Sequence, residues 1–204
     1  MEHRYGRCGQ ASARKLDLDR VGIFGHSYGG ATTAETSAKD GRFKARASLE
    51  GGFWGSVAHT GLKQPFLYML TSDTAYMIRE QLEGKQASEE GGIGQGTREK
   101  LFYEEYIPDL HPVFEKSSAD RYYLTVKGFF HQSFADVALL SPLFAKEVSA
   151  DQSVRMNRDY VRSFFDRYLF GKEAPLLDGP SPRYPEVEFD PKLTTNGSAA
   201  APSR

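Results

Sequence analysis

The sequence predicts an α/β fold, a mostly parallel sheet with flanking helices, and three observations carry that expectation. Short apolar runs of strand length recur at Val21 to Phe24, Ala45 to Leu49, Pro65 to Leu70 and Tyr122 to Val126, and polar or glycine-rich residues follow them. Runs this apolar suit strands buried on both faces, as in parallel sheets. Stretches of helical character lie between or after them, at Ala31 to Lys39 and Asp151 to Phe170, and parallel strands need such crossovers. Finally, Gly25-His26-Ser27-Tyr28-Gly29-Gly30 stands where the first run gives way to the first helix.

Taken in order, Met1 to Arg14 is polar and without period, an irregular lead-in. Leu16 to Arg20 is a loop entering the first strand. The helix from Ala31 ends at Asp40-Gly41, where glycine can take a left-handed cap. The second strand ends at Glu50, before the glycine-rich Gly51-Gly52-Phe53-Trp54-Gly55. The third ends in Thr71-Ser72-Asp73. Glu83 to Arg98, rich in Gly, Glu, Gln and Ser, reads as a loop or insertion, and Leu101 to Phe114, with Pro108 and Pro112, as a broken helical or lid-like segment. The fourth strand runs through Lys127-Gly128-Phe129-Phe130 to His131, and Ser133 to Leu140 begins a turn or helix. Asp151 to Phe170 repeats apolar residues at helical spacing and stops at Gly171. The expected division is a catalytic region over 1–175 and an extended, largely disordered tail over 176–204, since Pro175, Pro180, Pro182, Pro185 and Pro191 precede an Ala/Ser end.

Composition narrows the function classes. At 204 residues, one domain with a real core is expected. Lys and Arg number 26 against 27 acids, a balance that argues against a nucleic-acid surface. Cys8 is the single cysteine, so an internal disulfide is excluded and a cysteine metal site is not expected. No apolar run reaches the length of a membrane span, and the N-terminus has no signal-peptide core. The chain as given therefore reads as soluble and unexported, cytoplasmic by default.

The Gly25 to Gly30 stretch carries the chemistry. A serine hydroxyl is a poor nucleophile, so it needs exposure, a base and donors for the oxyanion it creates. A strand-turn-helix elbow exposes Ser27, and glycines at 25 and 29 relieve the crowding of so sharp a turn. Gly30 lets the helix pack closely on the sheet. The base must be a histidine held by a carboxylate. Of five histidines, His26 lies inside the elbow and is expected to point away, His3 is near the terminus, and His59 and His111 are in loops. His131 remains, just past the fourth strand. Glu50 and Asp73 both follow strands and precede His131, and strand-end position alone does not choose between them.

Gly25-His26-Ser27-Tyr28-Gly29-Gly30-Ala31-Thr32, Ser48-Leu49-Glu50-Gly51-Gly52-Phe53-Trp54-Gly55 and His131-Gln132-Ser133-Phe134-Ala135-Asp136, in that order, resemble the platelet-activating factor acetylhydrolase family. The resemblance covers about Leu16 to Phe170 and implies an α/β-hydrolase fold. It also implies an esterase releasing short acyl groups, with acetylated or oxidised phospholipids as the best-known substrates, and no cofactor or metal. Ser27 would be the nucleophile, Glu50 the acid and His131 the base, with the Tyr28 backbone N–H in the oxyanion hole. The family usually has aspartate where Glu50 stands, and Asp73 is the alternative acid. Family members also carry several strands before the elbow, so the chain resembles their C-terminal half. Two functional classes follow. One is an active serine esterase; the other is a catalytically silent fragment or interaction module that self-associates through an exposed sheet edge.

Overall fold

A computed structural model describes residues 16–82, 110–140 and 147–196. The expected lead-in, the 83–98 loop and most of the lid-like segment lie outside these. Five strands are ordered β1-β2-β3-β4-β5 across one sheet. They are β1 (Val21–His26), β2 (Phe43–Leu49), β3 (Phe66–Thr71), β4 (Arg121–Val126) and β5 (Val187–Phe189). The first four are parallel, and β5 runs antiparallel to β4 with Val126 opposite Val187 and Leu124 opposite Phe189. Helix α1 (Tyr28–Lys39) follows β1, and the short α2 (Val57–Thr60) lies between β2 and β3. Helix α3 (Ser72–Leu82) follows β3, α4 (Leu110–Lys116) precedes β4, and α5 (Ala150–Phe170) crosses after it. This is the α/β-hydrolase pattern of a mostly parallel sheet between helices.

The period of two along each strand sorts side chains into two cores. On one face Ala45, Ala47, Leu49, Leu67, Met69, Tyr122, Leu124 and Val126 meet Met156, Tyr160 and Phe164 of α5. On the other, Phe66, Tyr68, Leu70 and Tyr123 meet Ala34, Phe53, Val57, Ile78 and Phe114. Every residue of β3 is buried, so its unbroken apolar sequence reflects a strand covered on both sides. Helix α5 starts on Ser149, whose side chain accepts the Gln152 N–H, and ends on Gly171 in the left-handed conformation at φ 64°. Burying Met156, Tyr160 and Phe164 completely is worth about 1.5–3 kcal/mol each.

Two expectations are corrected here. Helix α1 does not end on a left-handed glycine. Its cap is Asp40 in an extended conformation (φ −125°), whose carboxylate accepts the Arg42 N–H at 3.0 Å. The stretch after Pro175 is not a loose tail as far as residue 196. Leu177, Tyr184, Val187 and Leu193 are buried, the Tyr184 hydroxyl donates to Asp159 at 2.7 Å, and the Lys127 N–H donates to the Glu186 carbonyl at 2.9 Å. Apolar residues at intervals give this segment something to bury, and its prolines are tolerated because it lies at the sheet edge.

Candidate active site

The C-terminal ends of the parallel strands gather the residues singled out in the sequence. Ser27 follows β1 with φ 56° and ψ −122°, a strained conformation for a side-chain-bearing residue, which costs on the order of 1–3 kcal/mol. Backbone bonds hold it there: its N–H donates to the Leu49 carbonyl at 2.9 Å, and its carbonyl accepts the Ala31 N–H at 3.1 Å. A Cβ on Gly25 would stand 2.4 Å from the Gly29 backbone, and one on Gly51 would stand 2.5 Å from the Ala31 nitrogen and 2.6 Å from the Ser27 carbonyl oxygen. On Gly30 it would meet the Ser48 hydroxyl at 2.4 Å. Gly29 differs from expectation, since a Cβ there meets nothing within 4 Å. The elbow is crowded at Gly25, Gly30 and Gly51 and open at Gly29. Tyr28 opens α1, where the first N–H groups have no acceptor within the helix. Its ring is exposed and lies 4.9 Å from that of Trp54.

Glu50 follows β2 and, with Ser27, is one of the two non-glycine residues with positive φ among those described, at 53°. Its N–H donates to the Met69 carbonyl at 2.7 Å, which turns the side chain inward, and that side chain is only 3% exposed. Oε1 accepts the Thr71 hydroxyl at 2.9 Å, the Thr71 N–H at 3.4 Å and the Thr74 hydroxyl. Oε2 has no hydrogen-bond partner and stands 3.7 Å from Nδ1 of His131. The two threonines fix one carboxylate oxygen and leave the other facing the imidazole. Sequence reading passed over them, although Thr71 and Thr74 bracket the polar end of β3 that it noted. Asp73 sits between them in the first turn of α3, with its side chain exposed.

His131 begins a 3₁₀ turn after β4. Gly128 at φ 72° redirects the chain, and Phe129, fully buried, anchors it. The Ser133 hydroxyl accepts the Phe130 N–H at 3.2 Å, and Asn157 of α5 donates to the Ser133 carbonyl at 2.8 Å. The turn is thereby tied to the longest helix, and the His131 side chain remains 31% exposed.

His26 does not point away from the base. Its ring lies 4.5 Å from that of His131, centroid to centroid, and 6.3 Å from that of Phe134. Burial, and then the neighbouring His131, hold its pKa below the usual histidine value, against opposing effects of the His131 backbone and Glu50. His59 lies in α2, and the placement of His3 and of the His111 side chain falls outside the description.

A strained serine follows β1, a buried carboxylate follows β2 and faces a part-exposed imidazole after β4, and these are residue types that acyl transfer can use. Among the described residues no group of three His, Cys, Asp or Glu side chains could hold a metal ion, and no helix is long and apolar enough to cross a membrane.

Comparison with known proteins agrees with this architecture. A protein named "Probable 1-alkyl-2-acetylglycerophosphocholine esterase" from Arthroderma benhamiae is 29% identical over 188 residues, which cover 83% of this chain and 43% of that protein. The platelet-activating factor acetylhydrolase of Bos taurus is 23% identical over 149 residues, 70% of this chain and 27% of that one. Among solved structures, a ferulic acid esterase from Streptomyces cinnamoneus superposes with a TM-score of 0.63 at 28% identity, over 85% of this chain and 47% of that one. The chain thus spans less than half the length of each of these relatives. Residues 10–157 match the model of the family described as platelet-activating factor acetylhydrolase, isoform II, and the chain belongs to that family.

Proposed function

We propose that the chain is a serine ester hydrolase that cleaves short acyl esters, phospholipid esters among them, through an acyl-enzyme. Ser27 Oγ attacks the acyl carbonyl while His131 takes its proton. The oxyanion receives the Tyr28 N–H, the tetrahedral intermediate collapses, and His131 returns the proton to the departing alcohol. Water, deprotonated by His131, then attacks the acyl carbon, and His131 passes that proton to the departing Ser27 Oγ, which frees the acid and restores Ser27. Glu50 orients the imidazole through Nδ1 and stabilises its charged form. The observation that carries this reading is the unpartnered Glu50 Oε2 facing His131 Nδ1 at 3.7 Å. That separation is longer than a hydrogen bond, as is common before substrate binds.

The test is intact-mass analysis after exposure to an activated fluorophosphonate, with Ser27→Ala as control. A single adduct that disappears in the variant supports the reading; a folded chain that takes no adduct overturns it for this polypeptide. Hydrolysis of short-chain esters and of acetylated phospholipids then separates substrate classes.

A specific observation favours the second reading, an interaction module. Strand β1 pairs only with β2 among the described residues, and Phe24 on it is 58% exposed. An apolar edge of this kind is a template for strand pairing, and we infer that isolated chains self-associate there.

A further inference from the structure

We propose that His26 is a positioning residue for His131: its ring, half-buried in the elbow, forms the wall against which the His131 imidazole rests opposite Glu50. The proposal rests on the reading of His131 as the base and adds a fourth side chain to its setting. Three observations carry it. The two rings are 4.5 Å apart at 43°, a tilted contact rather than a chance approach across solvent. His26 Nε2 is buried without a hydrogen-bond partner, and the ring's polar interaction is with the backbone of His131 itself. The register also fixes the ring's place. His26 pairs with Leu49, the residue before Glu50, and alternation puts it on the same strand face as Gly22 and Phe24, where Phe165 of α5 and the His131 turn lie.

The consequence concerns the charge that His131 acquires during acyl transfer. If His26 were also protonated, two cations would share the site. Burial and the neighbouring imidazole disfavour a charge on His26 and hold its pKa below the usual histidine value, against the opposing effects of the His131 backbone and Glu50. The charged or titratable groups acting on it are His131, from the turn after β4, and Glu50, from the end of β2. The ring contact at position 26 confines His131 from the side of β1.

The experiment compares His26→Ala, His26→Phe and His26→Gln in the rate of fluorophosphonate labelling at Ser27 and in kcat and KM for a short-chain ester. With the ring as the device, Ala and Gln lower labelling and kcat about tenfold or more, with KM within about twofold, and Phe restores both to within about threefold of the parent. If Gln restores the rates and Phe does not, or if Ala leaves kcat unchanged, the proposal is overturned. NMR titration of His26 in the unmodified chain and in His131→Gln supplies a readout that needs no activity. Its midpoint rises in the variant if the rings are in contact, and an unmoved midpoint overturns the proposal. A parent chain that is not labelled, with the His26 midpoint still responding to His131→Gln, retires the catalytic reading and leaves the contact standing.

Discussion

Ser27 and Glu50 are the two non-glycine residues with positive φ among those described, and they directly follow adjacent parallel strands. Neither conformation is favoured by its residue type, so each is retained by its surroundings. We expect Ser27→Ala to abolish ester hydrolysis without unfolding the chain; turnover near that of the parent would remove Ser27 from the mechanism. For the acid, Glu50→Gln should lower kcat by about 10³-fold or more, because it weakens the hold on the His131 tautomer. Asp73→Asn should change it by less than about threefold, its side chain being exposed in the first turn of α3. The opposite ranking would move the role to Asp73. Glutamate in place of the family's usual aspartate has a physical account in Thr71 and Thr74. The longer side chain reaches both hydroxyls with Oε1 and still turns Oε2 toward His131. Thr74→Val deletes a donor to a buried carboxylate, a change of about 1.5–3 kcal/mol, and should lower kcat about tenfold or more with KM little altered. An unchanged kcat would show that Thr71 alone holds Glu50.

At the scale of elements, the elbow is a junction of β1, α1 and the loop after β2, and its glycines are not equivalent. Gly25→Ala drives a Cβ into the Gly29 backbone and should destabilise the chain by about 3 kcal/mol. Gly29→Ala, inside α1 with open space around it, should instead stabilise by about 0.5–1 kcal/mol. Urea midpoints of the two variants should therefore move in opposite directions. Helix α1 is also tied to α2 through Glu35, which accepts the Ser56 hydroxyl at 3.0 Å and the Val57 N–H at 3.1 Å and pairs with Lys39 at 2.7 Å. Burial raises its pKa, but Lys39 and the Ser56 and Val57 donors outweigh that and hold it down at about 2, against an ordinary 4.5. A depressed carboxylate stabilises the fold above the unfolded value, and the contribution is lost as pH falls from about 4.5 towards 2. Glu35→Gln should cost about 1 kcal/mol at pH 7, a figure discounted for the exposed Lys39, and should flatten the stability profile across that window. Parallel acid-unfolding curves for the two proteins would show that Glu35 is not responsible.

Across the whole molecule, what the sequence revealed was whatever a run or a spacing could express. The four parallel strands announced themselves because each is covered on both faces or ends at the site, and α5 because Val154, Val161, Phe164, Phe165 and Tyr168 recur at helical spacing. β5 did not, being a three-residue strand among prolines whose place is set by pairing with β4. Ser27, His131 and the two candidate acids Glu50 and Asp73 were legible as residue types in order, whereas the contacts of Thr71, Thr74 and His26 depend on how strand ends and turns meet in space. Strand β1 shows the same limit from the other side. Val21-Gly22-Ile23-Phe24 has the composition of an interior strand, yet it lies at the edge of the described sheet with Phe24 58% exposed. An unpaired apolar edge should recruit another strand, and in a pure sample the available strand is that of a second copy. Sedimentation velocity over a hundredfold concentration range should show reversible association. Phe24→Lys should weaken it about tenfold or more while shifting the thermal midpoint by only a few degrees, since the side chain is mostly outside the core. A chain that stays monomeric throughout would mean that Phe24 and the β1 backbone edge are satisfied without a partner. Association that persists undiminished in Phe24→Lys would place the interface elsewhere.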